Sequence, residues 1–332
     1  MTLALPGPAF MFPLPTYPWT CCPHPHIDTM EEWARTCAVE YLGFLPDNAA
    51  AMYGDQQLGR SAAVILPYGS LERIRPAALS FLYTTVLDDY YEFAEPQDTL
   101  AAADRVHQLI LGAPVQEDDN GIFQLVARAG RELREISPTD FVIRYAECLR
   151  AFLANGTARE GVHRRAKVIP QVEEVLSSRE YSIGVVFTVP LLELLLPSPL
   201  SPVTAAHPVL QRMWRLIARM VVVQNDVATV HRERERIDQG EVMNILLAAE
   251  YHWNLSLEQC YRYALHLNQQ AIDEFAFLKD NLPDFGPEAE RVREYVALLA
   301  NLPGAWDAWY RHMTLRYSGA HPEADWLQAE KT

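Results

Sequence analysis

Apolar positions along the chain recur every three or four residues and nowhere alternate convincingly with polar ones, so the pattern predicts helices and no strands. The longest predicted helices cover 77–93, 99–111, 123–135, 139–154, 185–196, 209–238, 256–281, 288–301 and 306–317. Shorter ones are expected over 29–41, 47–53, 61–65, 170–178 and 241–251. Thr29 followed by Glu32 is a capping-box pattern for the first of these. Pro76 separates a turn at 70–75 from the helix that follows, and prolines within 197–202 and 282–287 punctuate helices without marking a linker. There is no Gly-rich strand-to-helix junction and no internal repeat. The simplest architecture is one all-α domain over 28–317, a helical bundle whose apolar faces enclose a central cavity. The proline-rich residues 1–27 predict an extended arm across the body, and 318–332 a tail. His24 and His26, each beside prolines, read as structural residues rather than metal ligands.

Composition narrows the functional classes. Of 332 residues, 49% are hydrophobic, enough for a sizeable core. The 43 acidic and 28 basic residues give a formal net charge of −15, which disfavours nucleic acid and anionic lipid as partners. An anionic small substrate needs metal ions or local arginines to reverse the field at its site. The cysteines (21, 22, 37, 148 and 260) are odd in number and form no C-x-x-C pair, so neither a disulfide framework nor a zinc site is expected. A reducing cytoplasm suits them. No Lys or Arg precedes Arg35 and prolines break the early apolar stretch, unlike a signal peptide. The run 184–196 is too short to span a bilayer and holds Pro190 and Glu193.

Two polar clusters interrupt the apolar helices. In the first, Asp88, Asp89 and Glu92 end the helix over 77–93, with Asp88 and Glu92 one turn apart. Like charges at that spacing cost helix stability unless a cation bridges them; a solvated acidic helix end is the plainer account. In the second, Asn225, Thr229 and Glu233 recur at i, i+4 and i+8, which keeps an amide, a hydroxyl and a carboxylate on one helix face. Oxygen donors without Cys or His suit Mg²⁺, or Mn²⁺, rather than zinc. Facing each other across a bundle, the two clusters can hold several such ions and clamp a diphosphate.

On these residues the chain resembles the class I terpene cyclases of bacterial and fungal type. Asp88-Asp89-Tyr90-Tyr91-Glu92 matches the family's aspartate-rich motif. Asn225, Asp226, Thr229, Arg232 and Glu233 match its second motif position by position, and the run 240–245 resembles the continuation. Arg316-Tyr317 fits the family's C-terminal Arg-Tyr pair, and Arg179 falls where a diphosphate-sensing arginine precedes a helix break. The resemblance spans about residues 80 to 317.

It implies a class I terpenoid synthase fold and three Mg²⁺ ions around the diphosphate of a linear isoprenoid. Asn225, Thr229 and Glu233 would hold one ion; Asp88 would be the chief ligand opposite, supported by Asp89 and Glu92. Arg179, Arg232, Arg316 and the Tyr317 hydroxyl would bind the diphosphate. Phe81, about two turns before Asp88, and Tyr310, where relatives often carry Trp, are candidates for the pocket wall, as are Trp306, Trp309 and Phe187. Relatives often have aromatics just before the acidic motif; here stand Thr84 and Thr85, so Thr85 joins the wall. The residue whose carbonyl nears the substrate is one of Ser182, Ile183 and Gly184. Read without their neighbours, Arg179 would pair with Glu173 or Glu174, Arg316 would end a helix at the surface, and Arg234 or Arg236 would compete with Arg232.

The expected function is therefore cyclisation of an isoprenoid diphosphate, with farnesyl diphosphate as substrate and a cyclic sesquiterpene as product. Geranylgeranyl diphosphate and diterpene cyclisation form the nearest alternative. A non-catalytic isoprenoid-binding scaffold predicts loss of one cluster, and both are intact. Chain-elongating prenyltransferases usually carry two aspartate-rich motifs, whereas here the second cluster is Asn/Thr/Glu. Homodimers are frequent in the family, but no interface stripe is diagnostic here.

Overall fold

The computed structural model describes residues 10–46, 48–314 and 316, and among them there is helix but no strand. The helices are α1 (Ile27–Tyr41), α2 (Ala49–Asp55), α3 (Leu58–Ile65), α4 (Leu71–Tyr91), α5 (Pro96–Leu111), α6 (Gly121–Ile136) and α7 (Thr139–Ala151). A π-helical turn, Phe152–Thr157, leads into α8 (Ala158–Ala166), followed by α9 (Val172–Ser182), α10 (Val185–Leu191) and α11 (Pro202–Ala205). The chain ends with α12 (Pro208–Glu235), α13 (Ile245–Trp253), α14 (Leu257–Asp280) and α15 (Ala289–His312). Among the described residues, no helix is long and apolar enough to cross a membrane.

Helix α12 is the axis of the bundle. Leu216, Ile217, Ala218 and every residue from Met220 to Gln224 are buried, so its middle is enclosed except at Arg219. It packs against α9, α10, α13, α14 and α15. Helix α4 is enclosed in the same way from Ala77 to Leu87, except at Thr85. These two buried helices carry the two polar clusters at their C-terminal ends, and one end of the bundle is thereby polar.

Several element boundaries differ from the periodicity reading. Pro76 and Pro303 lie inside α4 and α15, so Leu71–Tyr91 and Ala289–His312 are each one continuous helix where a break was expected. Each proline removes one backbone hydrogen bond, costing about 3 kcal/mol. Burial of Ile74, Pro76 and Ala77, and of Leu302, Pro303 and Ala305, outweighs that cost. The helix expected to stop at 154 continues through the π turn to Ala166. Gly156 marks a close approach instead of an end: a Cβ there would meet the Ser182 backbone nitrogen at 2.6 Å.

Two N-termini also move. The first helix starts at Ile27 with no side-chain cap, so Thr29 and Glu32 form no capping box. Helix α13 starts at Ile245, not 241, because Asn244 accepts from the Leu246 amide at 2.8 Å and caps it.

Residues 10–26 form neither helix nor strand and lie against α3, α12 and α14. The Tyr17 hydroxyl lies 3.1 Å from the Met220 carbonyl and 3.2 Å from Asn268 Oδ1. Phe12 stacks on Tyr261 at 4.5 Å, and Trp19 meets Phe275 edge-on at 5.1 Å. His24 bonds the Gly69 carbonyl at 3.1 Å, which ties the segment to the turn before α4, and accepts from the His26 amide.

Candidate active site

The polar ends of α4 and α12 face each other across a cavity of about 230 Å³. Phe81, Phe152, Phe187 and Trp306 line its apolar part. Phe187 meets Phe81 at 6.2 Å and Phe152 at 5.2 Å, both edge-on, so the three rings form one aromatic cluster in the wall. Thr85, Trp309 and Tyr310 also line it. The hydroxyls of Thr84 and Thr85 donate to the carbonyls of Ser80 and Phe81 at 2.6 and 2.7 Å. Those bonds absorb their protons, so Thr84 and Thr85 present acceptor oxygen to an otherwise aromatic pocket.

On the α4 wall the three carboxylates are in different states. Asp88 Oδ1 accepts from Thr157 at 2.8 Å. Burial, then Glu160 and Asp89, push its carboxyl up to about 7. Asp89 is fully engaged: Arg316 donates to both its oxygens at 3.0 and 2.6 Å, and Tyr53 adds a third donor at 3.0 Å. Glu92 lies 3.8 Å from Arg164. Burial pushes its carboxyl well above the usual range; Arg164 opposes this, while Glu241, Asp89 and Asp88 add to it.

On the α12 wall the ligand candidates are held by a guanidinium at Asn225 and a neutral amide at Glu233. Asn225 donates to the Tyr310 hydroxyl at 2.9 Å and accepts from Arg179. Thr229 donates to the Asn225 carbonyl at 3.0 Å, which leaves its lone pairs to the cavity. Glu233 Oε2 accepts from Asn244 at 2.8 Å. The same Asn244 amide donates to the Asp226 carbonyl at 2.9 Å. Asp226 itself is fully buried; it accepts from the Ile245 amide at 2.8 Å and pairs with Arg179 at 2.8 Å.

The arginines separate clearly. Arg179 ends α9, one turn before the break at Gly184, where φ is +87°. It reaches Asp226 and Asn225, not Glu173 or Glu174. Ser182, Ile183 and Gly184 all line the cavity, so three alternatives remain for the residue after the sensor arginine. Arg232 and Arg236 line the mouth, whereas Arg234 pairs with Glu250 at 2.8 Å on the outside. Arg316 is no surface helix end but spans to Asp89 and Gln56. Tyr317 lies outside the described residues.

The structure thus brings Asp88, Asp89, Glu92, Asn225, Thr229, Glu233, Arg179, Arg232 and Arg316 to one mouth. Sequence reasoning missed Arg164, whose guanidinium reaches Glu241 at 2.5 Å, Glu160 at 3.4 Å and Glu92 at 3.8 Å. That arginine ties the end of α4 to the loop that follows α12. Nothing in its local run, His163-Arg164-Arg165, distinguishes it from a solvated charge. The anchoring by Asn244 and Thr157 was missed too.

The donor set fits a hard divalent cation: Asn225, Thr229 and Glu233 line the same cavity and offer amide, hydroxyl and carboxylate oxygen, and among the described residues no Cys or His lines it. Asp88 Oδ2 has no protein donor among the described residues, which leaves it open on the opposite wall.

Comparison with known proteins identifies the family and the fold. The family model described as terpene synthase family 2, C-terminal metal binding, matches residues 80–274, more than half of the chain. A relative named sesquiterpene synthase 14, from Postia placenta, is 23% identical over 95% of this chain and 88% of its own length. A germacrene A synthase from Nostoc punctiforme is 19% identical over 89% of this chain and 95% of its own. Among solved structures, a variant of the SVS_A2 protein from ancestral sequence reconstruction superposes with a TM-score of 0.80 at 17% identity, covering 96% of this chain and 99% of that one.

Proposed function

This chain belongs to the terpene synthase family with a C-terminal metal-binding region, and from that membership we propose that it ionises and cyclises farnesyl diphosphate with Mg²⁺ to a cyclic sesquiterpene. As an enzyme of this class it uses a divalent metal and acts on an isoprenoid diphosphate. The C15 substrate, the choice of Mg²⁺ over Mn²⁺, three bound ions and the individual residue roles are parts of the proposal. The observation that carries it is the meeting of two oxygen-rich helix ends over one aromatic-walled cavity.

In this reading Asp88 holds metal on the α4 wall, with Asp89 and Glu92 supporting it, and Asn225, Thr229 and Glu233 hold metal on the α12 wall. Bound divalent cations neutralise the diphosphate and so lower the barrier to its departure. Arg179, Arg232 and Arg316, with the Tyr317 hydroxyl, donate to the diphosphate oxygens, a task that suits a fixed, always-charged fork. Arg179 and Arg316 exchange their present partners, Asp226 and Asp89, for substrate oxygens at least in part. Phe81, Phe187 and Trp306 offer ring faces to the allylic cation. Thr85 and Tyr310 shape the wall, and a closed mouth keeps bulk water from the cation. Free cysteines throughout are consistent with a cytoplasmic enzyme. A homodimer belongs to the proposal and is read by light scattering.

The test is incubation of purified protein and Mg²⁺ with geranyl, farnesyl and geranylgeranyl diphosphates separately, with extracts analysed by gas chromatography–mass spectrometry. A cyclic C15 hydrocarbon or alcohol from the farnesyl substrate alone is expected. A C20 product moves the function to diterpene cyclisation. No product in any vial, from folded protein that binds Mg²⁺ and diphosphate, overturns the catalytic reading in favour of a scaffold.

A further inference from the structure

Four helical threonines satisfy their hydroxyls within their own helix. Thr84, Thr85, Thr188 and Thr229 each donate to the carbonyl four residues earlier. Thr157 does not. It ends the π turn between α7 and α8, is 1% exposed, and sends its hydroxyl across to Asp88 Oδ1 at 2.8 Å. π turns inside longer helices recur at functional sites because the extra residue re-aims the side chains beside it.

The turn is also pinned from behind. Gly156 is pressed against the break between α9 and α10, where a Cβ would stand 2.6 Å from the Ser182 nitrogen and 2.8 Å from its Cα. One residue farther on, the hydroxyl of Thr157 is thereby given a fixed origin relative to the Arg179 side of the cavity. The contact at Oδ1 leaves Oδ2 as the Asp88 oxygen open to the mouth, whereas both oxygens of Asp89 are taken by Arg316 and Tyr53.

We infer that Thr157 is a positioning residue for the metal site: its hydroxyl fixes the rotation of the Asp88 carboxylate and presents Oδ2 to the cation. The inference rests on the reading of Asp88 as a metal ligand. Residues that orient a metal ligand through a hydrogen bond typically contribute about 10- to 100-fold in metal affinity. Val is close to Thr in shape and lacks the hydroxyl, while Ser keeps the hydroxyl and loses the methyl. The pair therefore separates hydrogen bonding from packing.

The experiment is calorimetric titration of the full chain with Mg²⁺ in the presence of inorganic diphosphate. Wild type, Thr157→Val, Thr157→Ala, Thr157→Ser and Asp88→Asn are compared, with thermal melts taken in chelator. Binding about 10-fold or more weaker in Thr157→Val and Thr157→Ala, near wild type in Thr157→Ser, and lost in Asp88→Asn is the expected result. Wild-type affinity in folded Thr157→Val or Thr157→Ala, with binding lost in Asp88→Asn, overturns the inference and leaves Asp88 as a ligand. Equal weakening in Val, Ala and Ser also overturns it, because the hydroxyl is then not the cause. Wild-type binding in Asp88→Asn defeats the ligand reading itself, and the inference with it.

Discussion

The two walls of the cavity present oxygen to the same space but are built on opposite principles. On the α4 wall, charge is crowded. Asp88, Asp89 and Glu92 lie within five residues, and two of the three lean on Arg316 and Arg164. On the α12 wall the ligand candidates are one amide, one hydroxyl and one carboxylate, each tied by a hydrogen bond: Arg179 donates to Asn225, Asn244 to Glu233, and Thr229 to the Asn225 carbonyl. The first wall is an electrostatic liability that a cation relieves. The second is pre-organised, so little reorientation is needed on binding. The difference teaches that a metal bridging both walls gains charge neutralisation on one side and geometry on the other.

The sharpest way to break that comparison is to remove one ligand from each wall. Asp88→Ala and Asn225→Ala are each expected to lower kcat/KM for the isoprenoid diphosphate by about 100-fold or more while the far-UV circular dichroism is unchanged. Near-wild-type turnover in both, at ordinary Mg²⁺, would remove the site assignment altogether. A loss confined to one variant would show that only one wall holds metal.

The next effect falls on the supporting residues, and here the walls should respond differently. Asn244 makes three side-chain bonds: to Glu233, to the Asp226 carbonyl and from the Leu246 amide. Asn244→Ala is predicted to weaken Mg²⁺–diphosphate binding by about 10-fold or more and to cost about 1–3 kcal/mol in urea unfolding, since buried polar partners are left unmatched. Tyr53→Phe on the other wall removes one of three donors to Asp89 and leaves the Arg316 fork in place. Its effect on binding should stay within about threefold, the size of one ordinary hydrogen bond. Equal effects in the two variants would contradict the picture of a pre-organised wall facing a crowded one.

Crowding also predicts a pH dependence of the metal-free protein. Folding raises the Asp88 carboxyl from 3.8 to about 7, chiefly by burial. An acid whose folded value is raised binds more protons folded than unfolded between those limits. Its contribution to stability is therefore present below about pH 4 and is lost as pH rises towards 7. The size is a few kcal/mol at most, because one unit is worth about 1.4 kcal/mol and the cavity opens to solvent. In chelator, Asp88→Asn should flatten this part of the slope and melt at a higher temperature than wild type at pH 8. An unchanged slope would mean that the α4 wall bears no charge strain at Asp88.

Much of this architecture was legible in the residues themselves, for a physical reason. A helix face follows from spacing alone, so Asn225, Thr229 and Glu233 could be placed together before any coordinates, and so could Asp88 and Glu92. Buried helices such as α12 announce themselves by apolar residues on every side. Boundaries were less legible at Pro76 and Pro303, where tertiary burial outweighs the local cost of the ring. The helix read over 139–154 continues to Ala166, and the contact that shapes its path, Gly156 against the backbone of Ser182, lies elsewhere in the chain. The same holds for Arg164, Thr157 and Asn244. Each acts on a residue of another element, and no periodicity within one segment carries that information.

The smallest predicted effect tests where the two walls meet the pocket. Tyr310 stands where the resemblance led us to expect an aromatic wall, and it lines the cavity. Its hydroxyl also accepts from the Asn225 amide at 2.9 Å. Ring and hydroxyl therefore have separate tasks that two substitutions separate. Tyr310→Phe keeps the ring, so the product profile should be unchanged while Mg²⁺–diphosphate affinity falls by about two- to fivefold, the worth of one hydrogen bond. Tyr310→Ala removes both and opens space beside the reacting chain, so the ratio of products should shift by more than the affinity does. A profile that stays the same in Tyr310→Ala takes the ring out of the reacting pocket. An affinity that stays the same in Tyr310→Phe means that Asn225 is oriented by Arg179 and the helix alone, and the pre-organisation of the α12 wall then owes nothing to α15.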